Sequence, residues 1–324
     1  MPPRPSSVSP DVGWTEGPVL VRAPATSANL GPGFDSLGLA LSLYDDVEVE
    51  VTGGGLSIEV DGEGAEVAGR GERHLIVEVM HRTFGLLDEL AGSGLGRPPG
   101  LRLRCRNRIP HSRGLGSSSA ATIAAIVAAR ALHPGGKLFD DDAALRLATE
   151  IEGHPDNVAP CLAGGLTVAW TAPAGPRLVR LESQVTQVVA FVPEQRLATE
   201  RARGLLPETV PHEDAAANAG RAALLIAALT GGLDREILLD ATDDRLHQDY
   251  RAPAMPASAA LVRALRAAGV PAVISGAGPT VLAFTTASQV DSMASGVGNG
   301  WLKHPLDVAT RGARVMTGRA ESRP

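Results

Sequence analysis

Ile109-Pro110-His111-Ser112-Arg113-Gly114-Leu115-Gly116-Ser117-Ser118-Ser119-Ala120-Ala121 is the stretch from which the rest of this chain is read. Before it, Leu101, Leu103 and Cys105 alternate with Arg102, Arg104 and Arg106, the period-two pattern of a half-buried strand with a solvated basic face. After it runs an Ala-rich segment, residues 120–132, that reads as a helix. Strand, glycine-serine loop and helix, in that order, suit the holding of an anion. Gly114 and Gly116 permit backbone angles that other residues resist, so successive amides can converge on one group. A helix start adds unpaired N–H groups and about half a positive charge. Serine hydroxyls placed there can bind phosphate oxygens or a magnesium ion. The spaced glycines of a dinucleotide site and the Lys-Ser/Thr ending of a P-loop are both absent, so a metal must carry more of the charge neutralisation. A serine-capped helix after a flexible turn has the same local signature.

Working outward, residues 19–23 read as a short strand broken at Pro24, and residues 37–43 as a second apolar run. Val47, Val49 and Val51, then Leu56, Ile58 and Val60, alternate with acidic residues around Gly53-Gly54-Gly55, which predicts a hairpin. Helical spacing of apolar residues spans 74–90, with Gly92 beyond the end, and Asp140 caps a further helix that ends near Ile151. A strand at 164–170 closes the first half and a loop at 171–177 follows. The second half reads as a strand at 188–192, helices near 199–206, 215–229 and 257–268, and strands at 272–275, 281–284 and 313–316. Strands and helices mix without the regular alternation of a doubly wound sheet, so the fold class is α+β in two domains.

Composition limits the function. The chain has 324 residues and is 44% hydrophobic, enough for a substantial core. Aromatics supply only 3% and the net charge is −6, which argues against stacking on single strands and against a nucleic-acid partner. Lys137 and Lys303 are the only lysines. Cys105 and Cys161 lie far apart without metal or redox spacing, and fit a reducing cytoplasm. Residues 1–14, rich in Pro and Ser, read as a flexible tail and not a signal peptide. No run reaches the roughly 18 apolar residues of a membrane span, so no membrane partner is expected.

Residues 110–121 resemble the central Pro-x-x-x-Gly-Leu-Gly-Ser-Ser-Ala motif of the GHMP small-molecule kinases, with Ser119 in place of the usual Ala. Ala23-Pro24-Ala25-Thr26-Ser27-Ala28-Asn29-Leu30-Gly31-Pro32-Gly33-Phe34-Asp35 is similar to the first motif of that family, and Ser275-Gly276-Ala277-Gly278-Pro279-Thr280 to the third. The resemblance narrows to the homoserine-kinase branch through Thr26, where many members place a lysine, and through Glu152-Gly153-His154-Pro155-Asp156-Asn157-Val158-Ala159-Pro160. It implies an N-terminal ribosomal-protein-S5-like domain over residues 15–175, a ferredoxin-like domain over 176–324, and phosphoryl transfer from ATP to L-homoserine in threonine biosynthesis, by a homodimer. ATP is expected on Pro110, Arg113, Gly114, Leu115, Gly116, Ser117, Ser118, Ser119 and Ala120. Mg2+ is expected on Ser118 and Glu152, with Glu150 as fallback ligand. Asn29, Asp35, His154, Asp156, Thr199, Arg203, Arg251 and Gly276 match substrate positions, Asp35 or Asp156 taking an ammonium and the two arginines a carboxylate. Asn157 stands where related kinases carry the Asp of a Lys–Asp pair; an amide accepts no proton at neutral pH, so no strong protein base is expected and Asn157 orients the hydroxyl. Other GHMP kinases with different small substrates, and a non-catalytic sensor of the same fold, are the alternatives.

Overall fold

The computed structural model describes residues 13–285, 289 and 300–316, so most of the expected tail lies outside the described residues. Trp14 sets its ring edge-on against Phe84 at 4.8 Å and His133 at 5.3 Å.

In chain order the first half contains β1 (Val19–Ala28), β2 (Leu37–Thr52), β3 (Gly55–Gly62), α1 (Leu75–Ala91), β4 (Gly100–Asn107), α2 (Ser117–Leu132), α3 (Asp141–Glu152), α4 (Val158–Ala163), β5 (Leu166–Ala172) and β6 (Gly175–Leu181). Then come β7 (Gln187–Pro193), α5 (Thr199–Arg203), α6 (His212–Gly231), α7 (Arg235–Ala241), α8 (Gln248–Arg251), α9 (Pro256–Ala267), β8 (Ala272–Ile274), β9 (Val281–Ala283), β10 (Trp301–Asp307) and β11 (Arg314–Val315). One sheet runs β11-β1-β2-β4-β3, with β5 on the first residues of β2 and β6 on β5. The other runs β10-β7-β9-β8, with all its pairs antiparallel. This is the expected α+β class.

The hairpin at Gly53–Gly55 does not form. β4 inserts between β2 and β3, antiparallel to the first and parallel to the second. Charge explains the order. A hairpin would set the acidic faces of β2 and β3 side by side, and like charges across a ladder are destabilising. With β4 between them, Arg102 reaches Glu50 at 2.7 Å, and Arg104 lies 3.4 Å from Glu48 and 3.2 Å from Glu59. The arginines are an exposed zipper, not an idle solvated face.

Further differences are local. β1 does not stop at Pro24, because a register shift between Pro24 and Ala25 accommodates the missing donor. Residues 171–177 hold the β5–β6 turn and the start of β6, so the expected division after residue 175 falls inside a strand of the first sheet. β11 also returns to that sheet beside β1. β10 gave no sequence signal, since its exposure pattern does not alternate and Leu302 faces solvent on an edge strand.

α2 is the helix on which the site rests. It is apolar nearly all round, and Ala120, Ile123, Ala124, Ala125, Ile126, Ala128, Ala129 and Leu132 are all buried in one core with β1 and β2. Small side chains let it lie close to the sheet, and each fully buried Ile or Leu stabilises by about 1.5–3 kcal/mol. No described helix is long and apolar enough to cross a membrane.

Candidate active site

The loop before α2 is strained where it must be. Ser112, Gly114 and Gly116 adopt positive φ of 56°, 79° and 68°. A Cβ on Gly114 would lie 2.3 Å from the Ser275 carbonyl oxygen, and one on Gly116 would lie 1.9 Å from Thr26 Oγ1. Both positions therefore require glycine for contact as well as conformation. The loop is clamped by the other two motifs: Thr26 N–H donates to Leu115 O, Thr280 N–H to Arg113 O, and Ser275 Oγ to Gly114 O at 2.6 Å. The turn between β8 and β9 thus steadies the glycine loop.

The three serines form the first turn of α2 and do not precede it. Gly116 at the cap offers no side-chain acceptor, so the first-turn amides lack intrahelical partners at the edge of a cleft. Glu152, the last residue of α3, accepts hydrogen bonds there from Ser118 Oγ (2.7 Å), Ser119 Oγ (3.1 Å) and Thr122 Oγ1 (3.1 Å). Glu150 points elsewhere and pairs with Arg82. Among the described residues no group of three or more His, Cys, Asp or Glu could hold a metal alone. Ser118 and Glu152 fit a magnesium ion whose remaining ligands are phosphates and water.

A cleft of ≈ 150 Å³ gathers most of the expected residues. Asn29, Gly114, Gly116, Ser117, Ser118, Ser119, Glu152, His154, Asp156, Asn157, Thr199, Arg203, Arg251 and Gly276 line it. Four do not. Pro110, Leu115 and Ala120 are buried. Arg113 donates to Pro193 O and Glu194 O and faces Glu63, tying the loop to the second sheet. Asp35 sits at the rim, in a two-pronged ion pair with Arg203 at 2.7 and 3.1 Å. The two residues expected to take opposite ends of a zwitterion therefore hold each other.

Asn29, Leu30 and Asp35 have positive φ of 67°, 51° and 53°, a turn that only internal hydrogen bonds sustain. Asn29 Oδ1 accepts from Asp35 N–H at 2.9 Å, and its Nδ2 donates to Gly276 O at 2.9 Å. Thr26 Oγ1 donates to Asn157 Oδ1 at 2.8 Å beneath Gly116. His154 Nδ1 touches Asp156 Oδ1. Burial pulls the His154 pKa down, but the hydrogen bond and charge of Asp156 outweigh it, and the net shift is upward. The Arg203 guanidinium is raised by its bond to Asp35. Arg251 is lowered, first by burial and then by Arg203. It is 1% exposed, its Nε has no partner, and among the described residues no carboxylate pairs with it. Unpaired buried charges are costly, so this cation faces a cleft that awaits an anion.

Sequence reasoning missed Thr122 and His247, and gave Phe34 and Ser275 no role of their own within their motifs. Thr122 lies one helical turn beyond Ser118, and His247 four residues before Arg251, so spacing alone carried both signals.

Comparison with known proteins bears directly on this site. The model of the GHMP kinases N terminal domain matches residues 74–165, and that of the GHMP kinases C terminal region matches 225–302. A homoserine kinase of Streptomyces avermitilis is 58% identical over 92% of this chain and 95% of its own length. This chain belongs to the homoserine kinase family of the GHMP kinases. A homoserine kinase of Streptomyces coelicolor is 57% identical over 92% of this GHMP kinase and 94% of its own chain. A solved Listeria monocytogenes chain assigned as a homoserine kinase superposes with TM-score 0.74 at 31% identity, covering 93% of this kinase and all of that chain. The two-domain GHMP kinase fold is thereby established.

Proposed function

We propose that this kinase transfers the γ-phosphoryl group of ATP to the side-chain hydroxyl of L-homoserine, giving O-phospho-L-homoserine for threonine biosynthesis. Membership of the family makes it an ATP-dependent small-molecule kinase. The observation that carries the substrate is Arg251, a buried guanidinium without a carboxylate partner, set in one cleft with Asp156, His154 and the first turn of α2. An amino acid supplies the missing carboxylate and brings an ammonium for the acidic side.

The amides of Gly114 to Ser119 would hold the triphosphate, backbone doing what a P-loop lysine does elsewhere. A second cavity of ≈ 320 Å³ shares Ser112, Ser117 and Ser118 with the cleft, and the nucleoside would lie there. Ser118 and Glu152 are the donors for Mg2+, which neutralises triphosphate charge when bound. Arg251 takes the carboxylate. Arg203 joins it, while Asp35, released from Arg203, shares the ammonium with Asp156. Asn157, already accepting from Thr26, keeps its amide N–H free to orient the hydroxyl oxygen. With an amide there and no lysine, positioning and charge neutralisation supply the rate, as a loose transition state allows. The same reading takes the protein to be a cytoplasmic homodimer, which gel filtration at twice the monomer mass checks.

A coupled ADP-release assay over homoserine, mevalonate, shikimate and galactose tests the proposal. Turnover should be confined to homoserine, and faster turnover of any other alcohol would replace it as the substrate.

A further inference from the structure

Arg251 is not held by a carboxylate, yet its guanidinium is held. Its Nη1 lies 3.1 Å from Nδ1 of His247, four residues earlier on the same turn, and 3.4 Å from Gly276 O. His247 is fully buried, and its Nε2 lies 2.8 Å from Gly31 O, with Asp244 Oδ1 at 3.6 Å from the same nitrogen. A carbonyl and a carboxylate only accept, and a guanidinium only donates. Both contacts are satisfied in one state of the ring alone: neutral, with the proton on Nε2 and the Nδ1 lone pair facing Arg251. Phe34, from the turn after Gly31, stacks on that imidazole at 5.1 Å and 23°. The same ring lies under Arg251 at 5.3 Å and Arg203 at 5.9 Å.

We infer that His247 and Phe34 are positioning residues that set the guanidinium of Arg251 for the carboxylate of the substrate, His247 acting as a fixed acceptor and Phe34 as a common platform for both arginines. This rests on the amino-acid reading of the cleft and adds what makes it selective for the carboxylate. A flexible arginine left unpaired in a cleft of both signs would fold back onto Asp35 or Asp156. Tying one Nη to an imidazole and one face to an aromatic ring leaves the remaining N–H groups for a planar anion. The neutral ring is also the electrostatically consistent choice. Burial lowers the His247 pKa, and Arg251 adds to that, against Asp244 and Asp35, which raise it. The chain from Gly31 O through His247 to Arg251 links the first motif to the carboxylate site, and neither His247 nor Phe34 lines the cleft.

The test compares variants that keep different halves of the imidazole. His247→Asn places an acceptor near the Nδ1 position, whereas His247→Gln reaches the Nε2 position and offers nothing to Arg251. His247→Gln is expected to raise KM for homoserine about tenfold or more, with kcat and KM for ATP within about twofold; His247→Asn should recover most of that loss. Phe34→Leu, at a half-buried site that tolerates it, should raise KM for homoserine about threefold to tenfold, and Phe34→Tyr should restore it. In an Arg251→Met background, His247→Gln should cost nothing further, because the interaction it supports is gone. If wild type does not phosphorylate homoserine, the amino-acid reading itself fails. If wild type does, but His247→Gln and Phe34→Leu shift KM for ATP as much as KM for homoserine, or their effects add fully to that of Arg251→Met, the positioning role is wrong.

Discussion

Replacing Arg251 with methionine should leave the protein about as stable and make it a far poorer kinase. In the structure the guanidinium is 1% exposed, and its polar partners are an imidazole nitrogen and a carbonyl oxygen. Asp35, whose charge acts on Arg251, is already paired with Arg203. Replacing a buried charge by an apolar side chain of similar length is commonly neutral or stabilising by about 1–4 kcal/mol. Against that stand the lost contacts to His247 and Phe34, about 1 kcal/mol each. The net change lies within about 2 kcal/mol of zero, and each kcal/mol moves the melting point of a domain this size by roughly 2–4 °C. Substrate binding changes with the opposite sign. Removing one partner of a desolvated charge pair costs about 2–5 kcal/mol, and at 1.36 kcal/mol per tenfold this is about 30-fold to 5000-fold in kcat/KM for homoserine. Thermal melts without substrate, together with initial rates over a homoserine series, read both quantities on one preparation. An Arg251→Met variant that melts more than about 10 °C lower and keeps kcat/KM for homoserine within threefold of wild type would refute the reasoning, since Arg251 would then be a structural residue.

Three other outcomes follow from the site. Glu152→Gln keeps the shape that accepts Ser118, Ser119 and Thr122 but removes the charge; kcat should fall at least about 100-fold and half-saturating Mg2+ should rise, while KM for homoserine stays within threefold, as initial rates over a magnesium series will read. Asn157→Asp should not raise turnover or introduce a new pH dependence, because Thr26 gives the carboxylate a hydrogen-bonded partner and no lysine is there to pair with it; a gain of orders of magnitude in a pH–rate profile would restore a protein base to the mechanism. Asp45 accepts from the amides of Arg108 and Ile109 at the entry to the glycine loop, and burial pushes its pKa up to about 6. Because the folded-state pKa lies above the unfolded one, the ionised form is the penalised one, and Asp45 stabilises less as pH rises from about 4 to 6, by up to roughly 3 kcal/mol. Asp45→Asn should flatten that part of the melting-temperature profile, and an unchanged slope would show that Asp45 is not its source.

The sequence shows most plainly what is decided locally. Gly114 and Gly116, the serine turn and the Asp140 cap appear where residue chemistry alone places them, because each is set by one backbone angle or one hydrogen bond. Pairings across the chain were not legible. Nothing in the residues around Gly53 says that β4 will insert there; that emerges only once the arginine face of β4 is weighed against two acidic neighbours. Asp35 and Arg203, 168 residues apart, were read as ligands of one zwitterion, and their bond to each other appears only in three dimensions. Motif membership does not say which side chains face the cleft. Pro110, Arg113, Leu115 and Ala120 belong to the central motif but do not line the cleft; the first, third and fourth are buried, and Arg113 donates to Pro193. Arg251 was named as a carboxylate ligand, but the arrangement that keeps it unpaired needed His247 and Phe34, whose roles no single-residue reading assigns.

The most direct measurement is the phosphorus NMR spectrum of a homoserine reaction with ATP and Mg2+. Phosphorylation at the side-chain hydroxyl predicts a new phosphate-monoester resonance split into a triplet by the two protons of the adjoining methylene, growing in step with ADP. ADP formed with inorganic phosphate alone, or a phosphoramidate or acyl-phosphate signal in place of the triplet, would contradict it.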